Sequence, residues 1–174
     1  LSGGAYGSPH LLELSGVGDA AHLKDIGIEP VHHLPGVGNG LQDHQVFRMK
    51  WRLKGKPGTM NERVHGLTAI GEGIKYMVNR RGVLASPTNP INAFFRTRPE
   101  LESPDVQIQF FPGTYDTLRD RRLHKPPGVT LGPTLLRLES RGSVHAKSSD
   151  PFADPAIFTN VLGTENDLQT AILA

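Results

Sequence analysis

The sequence lacks cysteine, carries almost no excess charge and contains no long hydrophobic run. None of its 174 residues is cysteine, which excludes disulfides, thiolate catalysis and cysteine-based zinc sites and fits a reducing cytoplasm. The formal net charge is only +2, which gives no general attraction to nucleic acid. No apolar stretch is long enough to span a bilayer. We therefore expect a cytoplasmic protein that binds neither nucleic acid nor, through this chain, a membrane.

The most informative stretch of the sequence runs from Gly4 to Gly18 and reads Gly-Ala-Tyr-Gly-Ser-Pro-His-Leu-Leu-Glu-Leu-Ser-Gly-Val-Gly. Ser8 is a favourable N-cap, and Pro9 suits the first position of a helix. The pattern predicts the end of a strand, a tight turn at Gly3-Gly4, and a short helix from Pro9 that stops at Ser15-Gly16. The start of such a helix can bind an anion such as pyrophosphate, although most glycine turns bind nothing.

This stretch resembles the second sequence motif of the glucose-methanol-choline (GMC) flavin oxidoreductases, Gly-Ala-x-x-Ser-Pro-x-Leu-Leu-x-x-Ser-Gly-Val/Ile-Gly, and it matches every defined position. A second segment, Val37 to His44, is similar to that family's Val-Gly-x-Asn-Leu-Gln-Asp-His. Gly40 stands where the family usually has Asn, which affects a polar contact more than the loop geometry, because glycine tolerates many backbone conformations. Shorter matches from Gly82 to Pro151 follow the family's substrate-domain pattern.

The resemblance implies an FAD-dependent enzyme that oxidises a primary alcohol, choline-like or other, to an aldehyde by hydride transfer to the flavin. The residues expected to lie nearest FAD are Gly3, Gly4 and Ser8 in the strand-to-helix turn, followed by Asp43 and His44. For Asp43 and His44, a pair that merely caps a loop is an equal alternative.

No catalytic residue is expected in this chain. In the family, the base that takes the hydroxyl proton is a His of the C-terminal part, and the glycine-rich dinucleotide fingerprint lies near the N-terminus. Neither segment is present here, so we expect a central fragment that is inactive alone and whose full-length form acts on a small-molecule alcohol. Two alternatives stay open: a non-catalytic binding module, and an eroded pseudo-enzyme of the same fold.

The character of the sequence changes after His44. The glycine-rich first segment gives way to strict alternation, in which Phe47, Met49, Trp51 and Leu53 alternate with basic residues. This alternation predicts a half-buried antiparallel strand. We expect an α/β to α+β chain: residues 1–44 form the C-terminal portion of an FAD-binding Rossmann-like domain, and residues 45–174 form a partial substrate-binding domain with an antiparallel sheet and helices on one face.

Spacing of apolar residues and turn signals predicts the other elements. Helices are expected over Asp19–Ile26, over Glu62–Arg81 and from Asp167 onward, strands over Ile28–Leu34, Ile91–Arg96, Val106–Phe111, Thr134–Leu138 and Ser143–Lys147, and an exposed loop over Asp116–Gly128.

Three further patterns indicate structure rather than chemistry. The series Gly36-x-Gly38-x-Gly40 is not a dinucleotide fingerprint, because its third glycine comes too early. No metal site is expected in this chain. His32 and His33 are neighbours on a strand and face opposite ways, and neither a carboxylate-rich cluster nor a His-x-x-x-His pair supports a site at these residues or at His44. The basic run 119–125 lacks interleaved aromatic residues, which favours a solvated loop over a phosphate or nucleic-acid patch.

Overall fold

The computed structural model describes residues 1–117 and 122–174. They form two compact units: the first contains Leu1–His44 and Leu138–Ile172, and the second contains Gln45–Arg137 and Leu173–Ala174. The first boundary coincides with the change of composition after His44. The main segment of the second unit ends at Arg137, and Leu138–Ile172 belong to the first unit. The assignment of residues 45–174 to a substrate-binding domain stays a prediction. Part of the basic run 119–125, expected to be a solvated loop, lies outside the described residues.

The described residues contain five α-helices, nine strands and one 3₁₀ turn at Val83–Ala85. In chain order they are α1 (Gly4–Leu14), β1 (Val17–Gly18), α2 (Ala20–Asp25), β2 (His32–His33), β3 (Asn39–Leu41), β4 (Met49–Arg52), α3 (Met60–Arg63), α4 (Gly66–Asn79), β5 (Ile91–Phe95), β6 (Val106–Phe111), β7 (Gly128–Leu135), β8 (Gly142–His145), β9 (Ala156–Phe158) and α5 (Glu165–Leu173).

Helix α1 begins earlier than its sequence predicts. Gly3 is the N-cap residue, and Pro9 lies inside the helix. Ser8 does not cap a helix that begins at Pro9; its Oγ accepts a hydrogen bond from the N–H of Gly3 at 3.1 Å. The predicted start was therefore wrong. The helix continues through Pro9 with the loss of a single hydrogen bond, the one that residue 9 would otherwise donate to the carbonyl of Ala5.

Helix α2 confirms its prediction because both of its ends are specified locally. One carboxylate oxygen of Asp19 accepts hydrogen bonds from the N–H groups of Ala21 and His22, each at 3.0 Å. The hydrogen bond from His22 is the main reason why the pKa of Asp19 is lowered. Beyond the helix, Gly27 has a φ of +79°, a conformation that suits glycine at a helix end.

The first unit contains two small sheets. Strands β1 and β2 form a parallel pair of two residues each, so the strand predicted over Ile28–Leu34 is much shorter than expected. Pro30, which has no N–H to donate, precedes β2 and limits pairing on that side. Strands β3, β8 and β9 form an antiparallel sheet in that order. The buried apolar side chains of this unit are Leu23, Val37, Val144 and Ala146.

The second unit is built on a four-stranded antiparallel sheet in the order β4-β7-β6-β5. Strands β5 and β6 lie within one residue of their predicted bounds. The strands expected over Thr134–Leu138 and Ser143–Lys147, as a hairpin or as successive strands, are not paired with each other, because β7 and β8 belong to different sheets. The first of them also begins and ends earlier than expected, at Gly128–Leu135. At the edge, β4 pairs with β7 as an antiparallel strand, but all four of its residues are exposed. The prediction of a half-buried strand is wrong for these four residues, because the apolar side chains of Met49 and Trp51 are 43% and 44% exposed.

The helix predicted over Glu62–Arg81 is divided into α3 and α4. Gly66 has a φ of +58°, and this left-handed residue ends the continuity of the backbone helix. Thr59 and Glu62 form a capping box at the start of α3, with the N–H of Thr59 donating to Glu62 Oε2 at 2.8 Å. None of the residues of α4 is buried. No helix among the described residues combines the length and apolar character that a membrane span needs.

Candidate functional site

A cavity of about 260 Å³ lies in the first unit between the start of α1 and the loop that carries β3. Helix α1 supplies two residues one turn apart, β8 supplies one, and the loop supplies five consecutive residues. None of the described residues that line it has a charged side chain. The lining residues are Ala5, Pro9, Gly38, Asn39, Gly40, Leu41, Gln42 and Val144.

The helix side of this cavity is rich in free backbone groups. The first hydrogen bond of α1 runs from the N–H of Gly7 to the carbonyl of Gly3 at 3.2 Å, so the N–H groups of residues 4–6 have no partner within the helix. No acidic side chain lies in this first turn, which leaves the positive end of the helix dipole unopposed. Because Pro9 cannot donate to it, the carbonyl of Ala5 also lacks its helical partner. The N–H groups at this end of the helix suit an anion, and the carbonyl of Ala5 suits a hydroxyl group that donates a hydrogen bond.

The loop side is shaped by two glycines with different surroundings. Gly38 has a φ of +79°, and a Cβ there would lie 2.7 Å from Nδ1 of His145. Its carbonyl accepts a hydrogen bond from the N–H of Val144 at 2.7 Å, so the backbone loop lies directly against β8. Gly40 has a φ of +78°, but the space that a Cβ would occupy there is open. Asn tolerates this left-handed conformation better than most residues, which explains why Gly40 can replace the usual Asn without changing the loop.

The five residues predicted to lie near the cofactor flank this cavity on two sides. Gly3 and Gly4 form the start of α1, immediately before Ala5, and half-buried Ser8 precedes Pro9. Asp43 and His44 are exposed and directly follow Gln42. None of the five is among the residues that line the cavity. Their role in binding stays a prediction.

Sequence reasoning missed the lining residues themselves, although several lie inside the two motif segments. Ala5 and Pro9 are spaced i, i+4, which places them on one face of a helix, but the predicted helix began only at Pro9. Gln42 is held in place because its Nε2 donates to the carbonyl of Leu138 at 2.8 Å. This contact spans 96 residues of sequence, and no local pattern predicts it.

Comparison with known proteins identifies the class of this chain. A family model described as GMC oxidoreductase matches residues 1–46. An oxygen-dependent choline dehydrogenase from Staphylococcus xylosus is 37% identical over 169 residues, covering 96% of this chain and 30% of that protein. A chloroplastic fatty acid photodecarboxylase from Chlamydomonas reinhardtii is 37% identical over 191 residues, covering 100% of this chain and 31% of that protein.

The fold agrees with the same class. A formate oxidase variant from Aspergillus oryzae, studied for its FAD modification, superposes with a TM-score of 0.81 at 24% identity over 98% of this chain and 34% of its own. It shares the mixed architecture of helices and antiparallel sheets. These matches support a fragment of the GMC oxidoreductase family, and the chain spans about a third of the length of the curated relatives that it matches. The cofactor of this family is FAD.

Proposed function

We propose that the chain is part of an FAD-dependent oxidoreductase that oxidises a primary alcohol, choline-like or other, to an aldehyde. Its 37% identity to a choline dehydrogenase supports this substrate class. The observation that carries the proposal is the cavity itself, because it brings the two GMC-like segments together although they are separated by 18 residues. FAD, when bound, supplies the hydride acceptor for this oxidation.

We assign residues 1–44 to the end of an FAD-binding Rossmann-like domain and residues 45–174 to part of a substrate-binding domain. The groups at this cavity fit an anionic section of FAD: N–H groups at the start of α1 that have no i−4 partner within the helix, the carbonyl of Ala5 to which Pro9 cannot donate, and no carboxylate among the described lining residues. Gly3, Gly4 and Ser8 would hold the cofactor from the helix side, and Asp43 and His44 from the loop side. The cavity's 260 Å³ lies below the usual size of a pocket for a whole cofactor, so it matches one section of FAD.

Titration of the ¹⁵N-labelled chain with FAD, followed by NMR, tests this assignment. We expect the amide signals of Gly4, Ala5, Gly40 and Gln42 to shift, with weak affinity. Riboflavin, which lacks the phosphates, is expected to cause much smaller shifts at the helix start, because the anion contact is missing. Shifts confined to the second unit, or none at millimolar FAD, would refute the assignment.

The isolated chain is expected to purify without a stoichiometric visible flavin spectrum and without alcohol oxidation, because it supplies neither a dinucleotide fingerprint nor a catalytic His. A yellow, flavin-loaded preparation would contradict this expectation. If the full-length protein does not oxidise alcohols, the alternative activity is photodecarboxylation of a fatty acid, which is the reaction in the name of an equally similar relative.

The coding region on both sides of these residues separates the enzyme from its alternatives. An upstream Gly-x-Gly-x-x-Gly that follows a strand, together with a downstream His-containing segment, supports the oxidoreductase. Start and stop codons directly flanking these residues would favour a non-catalytic binding module. Both flanking segments present but with the catalytic His replaced would favour an eroded pseudo-enzyme.

A further inference from the structure

Three metal-ligating side chains from distant parts of the sequence meet inside the first unit. Glu13 lies in the last turn of α1, His22 in α2, and His145 at the end of β8. One ligand atom from each lies within 4.8 Å of the other two. Glu13 is fully buried, whereas the side chains of His22 and His145 are 32% and 26% exposed. An ion could therefore reach the carboxylate from the side of the two imidazoles.

The carboxylate of Glu13 is fixed by one backbone bond and one imidazole. The N–H of Ala146 donates to Oε2 at 2.6 Å, and Nδ1 of His145 lies 2.7 Å from Oε1. Nε2 of His22 lies 3.1 Å from the carbonyl of Ala146 and 4.0 Å from Glu13 Oε2. The two imidazole rings meet edge to face, with centroids 5.2 Å apart. Both nitrogens thus lie close to the same buried carboxylate.

This arrangement has the composition and the support of a metal site. Two imidazoles with one carboxylate are a ligand set of divalent zinc, and they leave a fourth position for water. Burying the charge of Glu13 requires compensation by pairing or by a metal. The N–H of Ala146 holds one carboxylate oxygen, which is the kind of outer hydrogen bond that orients a metal ligand.

One nitrogen–oxygen distance in this cluster is shorter, and the other longer, than the distance between two ligand atoms of a tetrahedral metal site. Bonds of about 2.0–2.1 Å in a tetrahedral site place ligand atoms roughly 3.4 Å apart. The nitrogen–oxygen distances here are 2.7 Å from Nδ1 of His145 to Oε1 of Glu13 and 4.0 Å from Nε2 of His22 to Oε2 of Glu13. Small rotations of two half-buried imidazoles, one outward and one inward, would equalise them without moving Glu13.

We propose that Glu13, His22 and His145 bind a divalent first-row transition ion. When the ion binds, the proton on the metal-facing nitrogen of a neutral imidazole moves through solvent to the other nitrogen of the same ring, whereas a doubly protonated ring releases that proton to water. The lone pair freed on the nitrogen then forms the metal bond. The ion would join α1, α2 and β8. This inference uses none of the residues that line the cavity, so it stands independently of the proposed FAD site.

Zinc binding to the chelator-treated chain tests the proposal. We expect one zinc per chain by calorimetry and elemental analysis, release of protons on binding, and no binding of Mg²⁺, which prefers oxygen ligands. A hundredfold excess over the dissociation constant should raise Tm by about 5–10 °C. The visible spectrum of the Co²⁺-loaded chain should show the strong bands of four-coordinate cobalt.

The variants Glu13→Gln and His22→Gln each remove a direct ligand, so they should weaken zinc binding by at least the roughly 10–100-fold that loss of an outer hydrogen-bond partner costs. His32→Gln is the matched control, because His32 is an exposed histidine of the same unit outside the cluster, and it should bind zinc like the unchanged chain. His22→Gln decides the matter if Glu13→Gln fails to fold, since His22 is half-buried. Absence of stoichiometric zinc, unchanged affinity in His22→Gln, or lost affinity in His32→Gln would each overturn the proposal.

Discussion

In the first unit, carboxylates lie in the interior, whereas in the second unit a helix leaves its apolar side chains in solvent. Glu13 and Asp167 are 0% and 1% exposed, and each is bonded to the backbone of a neighbouring segment. In α4, Leu67 and Val78 are 86% and 79% exposed. Both units bury hydrogen-bonded polar groups, because Asp105 and Asn61 of the second unit are 5% and 0% exposed and accept hydrogen bonds from the N–H groups of Thr97 and Thr114. The difference lies in α4, which has no buried residue, so its apolar face contributes no core to the second unit.

Substitution of Asp167 should cause the largest loss in the first unit. Its carboxylate accepts hydrogen bonds from the N–H groups of Glu139 and Ser140, at 2.9 and 2.8 Å, and from the hydroxyl of Ser140. Asp167→Ala would leave the buried N–H and hydroxyl of Ser140 and the partly buried N–H of Glu139 without this partner, which should lower the free energy of unfolding by about 4 kcal/mol. Urea unfolding measures the loss. Asp154→Ala, at an exposed aspartate, is the control; equal losses in both variants would show that the buried contacts contribute nothing.

The loop that packs against β8 should be nearly as sensitive to substitution as Asp167, but only at Gly38. Gly38→Ala combines a left-handed φ with overlap against β8, for which we expect a loss of about 3 kcal/mol. Gly40→Ala has nearly the same φ and open space, so only the backbone cost of about 1 kcal/mol applies. Thermal unfolding of the pair measures the difference. Similar losses would mean that the contact between loop and β8 is not rigid.

Acid should weaken the first unit through the same carboxylate. Burial acts to raise the pKa of Asp167, but the hydrogen bonds from Ser140 and Glu139 together lower it below its ordinary value. Because the folded pKa is depressed, the stabilisation is complete above the unfolded value of about 3.9 and is lost as the pH falls through the folded pKa. Stability measured from pH 6 to pH 2 should therefore fall below about pH 4, and this fall should be smaller in Asp167→Ala. Parallel acid profiles would contradict the assignment.

The parts of the fold that sequence predicted are those with local signals. Asp19 and Gly27 specify both ends of α2 within nine residues, and the prediction was right. The early start of α1 depends on the bond from Gly3 to Ser8, which no helix-start rule anticipates. Periodicity shows that Leu67 and its neighbours share one face of α4, but it does not show whether anything covers that face.

The same distinction between local signals and long-range contacts applies to the candidate site. The two GMC-like segments were identified from residue order, and the cavity lies between them. The contact between Glu13 and His145 joins residues 132 positions apart, so neither spacing nor periodicity could predict it. Tertiary contacts of this length determine both the exact lining of the cavity and the histidine cluster.

The start of α1 offers a test of smaller size that separates folding from binding. Gly4 has a φ of +70°, whereas Gly7 lies within the helix, and neither has an atom within 4 Å of an added Cβ. Gly4→Ala should cost about 1 kcal/mol through backbone strain, and it should weaken the FAD-induced NMR shifts. Gly7→Ala should stabilise the helix by about 0.5–1 kcal/mol and leave those shifts unchanged. Loss of the shifts in both variants would place the binding determinant elsewhere.

The exposed face of α4 should show the smallest effect of all. Leu67→Ser removes an apolar side chain that is 86% exposed, so the free energy of unfolding should change by no more than about 0.5 kcal/mol. The same substitution at Leu135, which is 1% exposed, should cost several times more, because it removes core packing and buries a hydroxyl. Chemical unfolding of both variants measures the contrast. A large loss at Leu67 would show that α4 is covered in solution, because exposed apolar faces are where a second chain packs. The difference between the two units would then be smaller than the structure indicates.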